Sequence, residues 1–139
     1  MDIKFIESFK RNMEGKLEPS LIDDAVKKML SWKHSYAAIG VIESVVFYIR
    51  FDLSIIIDRK HFGGNSGGLA TPGIGSTAGL VMTDDLETLY SDTVSFYFES
   101  NDINLNLQFL NSNNQLIGIY TGGAVSIVSG FGGGTGSWD

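Results

Sequence analysis

The chain has 139 residues, contains no cysteine and carries a formal net charge of −6, while 43% of its residues are hydrophobic. This size and apolar content predict a folded domain that buries its own core, with neither disulfides nor thiolate metal sites. The negative charge argues against nucleic acid as a partner, because binding to phosphates needs clustered cations.

Charge is unevenly distributed along the chain. All ten Lys and Arg residues lie within residues 1–60, whereas residues 61–139 carry only acidic charges apart from His61. The opening stretch lacks the apolar run of a secretory signal, and no stretch reaches the length of a membrane span. We therefore expect either a cytoplasmic protein, or a secreted or delivered effector that has no signal peptide in this chain.

Residues 1–35 are predicted to form a helical segment that precedes the main domain. Ile3, Ile6 and Phe9 recur at helical spacing, and a second helix is expected to begin with Ser20 as its N-cap. Two interpretations stay open: the two helices pack on the domain as a cap, or their cations bind a membrane or a delivery partner. The candidate interaction surface consists of Lys10, Arg11, Lys27, Lys28 and Lys33.

Residues 36–139 are predicted to form a β-domain, because apolar residues recur there at every second position. Between Val45 and Ile57 one parity is apolar throughout, which indicates one long bent strand or two strands with a turn near Arg50. Farther along, the alternation predicts that Gln108 faces water. It also predicts one buried face, consisting of Ile103, Leu105, Leu107 and Phe109. A short helix capped by Thr83 is expected before this stretch.

These features predict a mainly β fold: a compact eight-stranded antiparallel β-barrel with a short helix, preceded by two N-terminal α-helices. Closure into a barrel hides the edges of strands this short. The side chains expected to fill the interior are Phe47, Phe51, Phe96, Phe98, Leu105, Leu107 and Phe109.

The chain ends in a glycine-rich stretch, FGGGTGSWD. The string GGGTGS resembles a phosphate-binding loop of tubulin-like GTPases, but such a loop leads into a helix, and only two residues follow it here. We instead predict a structural role, in which glycines allow a closing strand to bend and a tryptophan plugs the barrel. The residues concerned are Gly132, Gly133, Gly134, Gly136 and Trp138.

Searches for catalytic or cofactor chemistry give no strong motif. His34 and His61 have no partners at metal-ligand spacing, and the GxGxxA match of residues 73–78 lacks the βαβ context of a dinucleotide site. The acids Asp84, Asp85 and Glu87 are better explained by the start of a helix than by catalysis. We therefore predict no cofactor, no metal and no catalytic residue.

The run TDDLETLYSDTVSFYFES, followed by LQFLNSNNQLIGIYTGGAVSIVSGFGGGTGSW, resembles the C-terminal core of the virulence-associated protein (Vap) family. The resemblance is most specific over residues 83–138, weaker over residues 36–82 and absent from residues 1–35. Two patterned helices and the lack of a signal peptide depart from the family pattern.

This resemblance implies an eight-stranded barrel with a filled interior and no catalytic residues. It also implies a non-enzymatic role in host-associated survival, with disturbance of phagosome maturation and, for some members, binding of acidic lipid. The acidic second half of this chain would repel such lipids, so the N-terminal basic helices are the expected lipid surface. Otherwise the host or delivery partner is unknown.

Two other functions compete with a Vap-like interaction module. A carrier of a small molecule or lipid, similar to lipocalins or fatty-acid-binding proteins, would need an open barrel interior. An enzyme would have to use Asp84 or Asp85. Packing of the interior is the observation that separates the first two.

Overall fold

A computed structural model describes residues 6–7, 10–11, 14–15, 18–32, 34–45, 47–67, 71–100, 104–125 and 130–139. These residues form α1 (Pro19–Ser31), β1 (Ser35–Ser44), β2 (Tyr48–Ile55), β3 (Lys60–Gly67), β4 (Gly73–Thr83), α2 (Leu86–Asp92), β5 (Ser95–Ser100), β6 (Asn104–Leu110), β7 (Leu116–Val125) and β8 (Gly130–Trp138).

The eight strands close into an antiparallel barrel in the order β1, β2, β3, β8, β5, β6, β7, β4. Closure is made by β4, which pairs with β1 from Ser35 opposite Met82 to Ser44 opposite Gly73. The last strand, β8, inserts between β3 and β5. Each of the eight strands therefore has two partners, which confirms the predicted closed barrel with a short helix.

The barrel interior is filled by aromatic rings that touch one another. The ring centroids of Phe51 and Phe98 are 4.8 Å apart, and Phe62 lies 5.4 Å from Phe96 and 5.0 Å from Phe109. These five side chains are at most 2% exposed. Ring contacts at such distances stabilise a core beyond the area that they bury.

The long apolar run around β2 is shorter in the structure than the alternation predicts. Ile49, Phe51 and Ile55 are buried as expected, but Val45, Phe47 and Ile57 are 70%, 74% and 73% exposed. For Val45 and Phe47 the reason is a hairpin turn, in which the Val45 N–H donates to the Tyr48 carbonyl over 3.0 Å, so the strand begins only at Tyr48. Ile57 is exposed because β2 ends at Ile55 and the chain then turns into β3. The predicted interior position of Phe47 is wrong, and β2 runs without a turn through Arg50.

The N-terminal region was predicted to contain two helices, and among its described residues the structure shows one complete helix, α1. The other predicted helix, over residues 3–13, lies largely outside the described residues. The N-cap of α1 is Glu18 instead of Ser20, because Pro19 at the first helical position has a φ suited to starting the helix there. The N-cap of α2 is Asp85 instead of Thr83, and the Thr83 hydroxyl donates to the Ile117 carbonyl over 2.6 Å.

Helix α1 packs on the outer surface of the barrel. Ala25 and Met29 of the helix, with its C-cap residue Trp32, are buried in a second apolar cluster, separate from the barrel core. The barrel contributes to this cluster the buried Leu110, Leu116 and Ile119 and the partly buried Met82 and Tyr97.

Helix packing also explains a wrong expectation about β6. Leu105, Leu107 and Phe109 are buried as predicted, whereas Ile103 lies outside the described residues. Gln108 is only 3% exposed, although its position points away from the interior. Its register partners Tyr97 and Ile119 both pack with α1, so the outer face is covered at this point.

Candidate functional site

The two ends of the barrel carry different chemistry. One end, here called the rim end, carries the β1–β2 hairpin and the connections from β3 to β4, from β5 to β6 and from β7 to β8. At the other, the helix end, lie the β2–β3 turn, α2 and the β6–β7 turn, with α1 packed nearby on β7.

The rim end carries a group of exposed apolar and aromatic side chains, here called the apolar rim. Its members are Val45 (70% exposed), Phe47 (74%), Tyr48 (50%), Ile74 (72%) and Phe131 (66%). Among the phenylalanines with described side chains, the others are in the core, so Phe47 and Phe131 are the exceptions. Exposed apolar side chains gathered at one end of a fold commonly mark an interaction site.

The interior behind the apolar rim contains hydroxyl groups. Ser44, Ser66, Thr77 and Ser100 are buried there. The Thr77 hydroxyl lies 2.6 Å from the Tyr120 hydroxyl, and it donates to the Gly123 carbonyl over 2.8 Å. Burial raises the pKa of Tyr120, and the bond with Thr77 offsets part of that rise. At this end the usual polarity is thus partly reversed, with hydroxyls inside and phenyl rings outside.

The helix end is closed by Trp138, which is 8% exposed. Its ring packs on Phe62, Phe109 and Tyr90 at centroid distances of 5.3–5.4 Å. The Tyr90 hydroxyl donates to Asp58 over 2.9 Å, and burial raises the pKa of Tyr90. A cleft of about 510 Å³ opens beside these residues, lined also by Lys60 and Glu87.

The glycines of β8 lie where large side chains need room. A Cβ at Gly136 would lie 2.5 Å from the Phe62 ring, and one at Gly132 3.1 Å from Phe98. At Gly134 it would collide with the carbonyl group of Asn65. Among the described glycines, only Gly15 and Gly73 have positive φ, so close approach and not a special backbone angle explains the glycines in β8.

Of the two acidic residues before α2, Asp85 acts as the helix cap. Asp85 accepts a hydrogen bond from the backbone N–H of Glu87 over 3.2 Å and another from the Thr88 hydroxyl over 2.8 Å. Asp84, Thr88, Lys28 and Trp32 line a small pocket of about 150 Å³ between α1 and α2. Within the described part of the chain, no group of three metal-ligating side chains was found.

The predicted basic surface is only partly assembled. Lys10, Arg11 and Lys27 are exposed. Lys28 is half-buried, and its ammonium group donates to the Leu116 carbonyl over 3.3 Å, which ties α1 to the barrel. Lys33 lies outside the described residues. No contact brings Lys10 and Arg11 together with Lys27 in the part of the chain that the structure describes.

A polar network on the outer face of β2 and β3 was not predicted from the sequence. Arg50 and His61 both contact Asp52, at 3.2 and 2.9 Å, and the Tyr48 hydroxyl donates to Asn65 over 2.5 Å. The hydrogen bond with Asp52 raises the pKa of Arg50. Antiparallel register brings these side chains together, with Ser54 opposite His61 and Arg50 opposite Asn65. The strand alternation carries a signal for it, since Tyr48, Arg50 and Asp52 share the polar parity of this stretch.

No helix in the described part of the chain has the length and apolar character needed to cross a membrane. Comparison with curated proteins finds no match. Two solved structures from the intracellular pathogen Rhodococcus equi are similar to this chain, the virulence-associated proteins VapD and VapB. VapD is 38% identical, with a TM-score of 0.74, over 76% of this chain and 97% of its own. VapB is 40% identical, with a TM-score of 0.71, over 76% of this chain and 96% of its own.

The family of Rhodococcus equi virulence-associated proteins matches the chain over residues 1–139. The match therefore includes the N-terminal region, where the sequence motifs alone showed no resemblance. With the closed barrel and the solved structures in agreement, the chain belongs to the Rhodococcus equi virulence-associated protein family.

Proposed function

We propose that this chain is a non-enzymatic virulence-associated effector that acts in host-associated survival at endosomal membranes, with its barrel serving as a rigid scaffold. The observation that carries the proposal is the filled interior. Phe51, Phe62 and Phe98 occupy the space in which a carrier would hold its ligand. A scaffold of this kind works through its surface.

The arrangement of the carboxylates supports a role without catalysis. Asp85 caps α2, and Asp58 accepts the hydrogen bond of Tyr90. A general acid or base needs a free carboxyl group facing a substrate site. These carboxylates hold structure together instead. The exposed cations Lys10, Arg11 and Lys27 are candidates for contact with a host or delivery partner, including membrane lipid.

The proposal can be tested with purified full-length protein coated on beads that macrophages engulf. We expect the protein to co-localise with endosomal membranes and to delay acidification of the bead-containing phagosome. A protein that leaves acidification unchanged and stays off these membranes would contradict the proposal.

Asp84→Asn supplies the control against catalysis. Asp84 is exposed, lines the pocket between the helices and is not the cap of α2. If the protein acts as a scaffold, Asp84→Asn should delay acidification as the parent does. Loss of the effect in this variant, with folding intact, would favour an enzyme instead. A native mass spectrum showing a stoichiometric bound lipid would favour a carrier.

A further inference from the structure

We propose that the apolar rim, consisting of Val45, Phe47, Tyr48, Ile74 and Phe131, inserts into the interfacial region of a lipid bilayer with no net headgroup charge. This inference rests on the proposed action at endosomal membranes and assigns to it a surface and a class of lipid. The rim differs from the basic N-terminal residues that the sequence suggested for membrane contact.

Exposure is the first argument. Phe47, Ile74 and Phe131 leave 66–74% of their surface in water, although a folded chain gains free energy by burying such side chains. They come from three separate elements: the β1–β2 hairpin, β4 and β8. Single exposed apolar residues are common, but the same end of the barrel carries both exposed phenylalanines and two aliphatic side chains of equal exposure.

Tyr48 gives the second argument. Half of its side chain is exposed, while its hydroxyl is held by Asn65. Tyrosine is enriched at the level of lipid headgroups, because it combines an apolar ring with a polar hydroxyl group. In this orientation Phe47 would extend beyond Tyr48 toward the acyl chains, because it precedes Tyr48 in the turn.

The distribution of charge selects the lipid. Register places Glu43 opposite Ile74 and Glu99 opposite Phe131, so carboxylates neighbour the rim. Arg50 stands opposite Glu43, but its guanidinium group is bound to Asp52. Acidic groups close to anionic headgroups would be repelled, whereas they cost little beside zwitterionic ones. The acids of the helix end, such as Asp84 and Asp85, would point away from the bilayer.

A bilayer suits this surface better than a folded protein. The rim residues project from three separate elements, and none lines the two clefts described above, which lie at the helix end. A protein partner would need a pocket complementary to each projecting side chain. Lipid acyl chains instead adapt to any convex apolar surface.

The test is flotation of the full-length protein with vesicles of phosphatidylcholine alone, at low and high salt. We expect binding that salt does not weaken, because it depends on apolar contact. Phe47→Ser combined with Phe131→Ser should reduce partitioning by at least about tenfold. Ile57→Ser is the matched control: Ile57 is 73% exposed but lies at the helix end, and its substitution should leave partitioning unchanged.

Thermal unfolding separates loss of binding from loss of folding, since all three substituted residues are exposed and the midpoints should equal that of the parent. Three results would overturn the inference: no flotation with phosphatidylcholine, flotation only with anionic vesicles at low salt, or a double variant that floats like the parent. A rim that instead binds a host protein would give the first of these. If the unsubstituted protein delays phagosome acidification but does not float with the vesicles, only the membrane insertion of the apolar rim is refuted. If it floats but does not delay acidification, only the proposed function is refuted.

Discussion

The two ends of this barrel differ in how much of their aromatic surface is buried. At the helix end Trp138 lies over Phe62 and Phe109, and the neighbouring helices cover further apolar groups of the barrel. At the rim end Phe47 and Phe131 are as apolar as those rings and remain in water. The difference teaches that the aromatic rings at the helix end serve stability, although Ile57 is exposed there too, whereas the phenylalanines of the rim end are available for contact with something outside the chain.

The largest expected effect tests this division directly. Trp138→Ala should lower the free energy of unfolding by about 3–5 kcal/mol, because it opens a cavity among packed rings. Phe47→Ala should change it by less than about 0.5 kcal/mol, since the side chain packs little against the protein. Chemical denaturation of both variants gives the comparison. Equal losses would mean that the two ends do not differ as described.

The glycines of β8 sharpen the comparison within the barrel wall. Gly134→Ala should cost about 3 kcal/mol, because its Cβ would collide with the Asn65 carbonyl group, which belongs to the paired strand. Gly67→Ala is the control, since nothing lies within 4 Å of a Cβ there. The measurement is again chemical denaturation. A Gly134→Ala protein as stable as the Gly67→Ala protein would show that the wall tolerates extra bulk.

The contribution of α1 to the helix end can be removed as a whole. A chain that begins at Ser35 should keep a cooperative thermal transition, as expected if residues 36–139 form a domain of their own. It should lose about 1–2 kcal/mol, because the burial of Met29 and Trp32 is partly offset by the entropy of ordering the helix. An insoluble product, or one without a transition, would show that α1 completes the fold.

A pH titration tests the polar interior behind the rim, with the smallest expected effect. Burial raises the pKa of Tyr120 above its ordinary value of 10.0, so near and above that pH the unfolded chain loses a proton that the folded chain keeps. Stability should therefore be constant below pH 10 from this source and fall as pH rises further. Tyr120→Phe should make this loss of stability at alkaline pH smaller. Tyrosinate absorbance follows the titration, and chemical denaturation at each pH gives the free energy of unfolding. If the variant and the parent lose stability equally above pH 10, the loss comes from another group, for instance Tyr90.

Several features were predictable because they depend on local pattern. The two-residue period placed Leu105, Leu107 and Phe109 on a buried face without knowledge of their partners. The same pattern failed at Val45 and Phe47, since alternation continues past the end of a strand and does not mark where the chain turns. It also failed for Gln108, because a helix distant in sequence covers that face.

The candidate site was less predictable than the fold. The sequence directed attention to Lys27 and Lys28, but Lys28 holds α1 on the barrel and is not simply free for a partner. The apolar rim had no signal of its own, because Phe47 and Phe51 look alike in a sequence. Only the register and the position of the hairpin show that one ring is outside and the other inside.

The sequence by itself determined the class of fold and the family, because strand alternation, turn residues and the closing glycine-rich motif are local and survive without a tertiary partner. The tertiary structure decided the rest. Gly136 and Gly132 in β8 are required because the rings of Phe62 and Phe98, on the two neighbouring strands β3 and β5, occupy the space beside them, and these are contacts between residues far apart in the chain. The contrast between buried rings at the helix end and exposed phenylalanines at the rim end likewise arises from strand order and helix packing, because these set how much of each apolar side chain is removed from water.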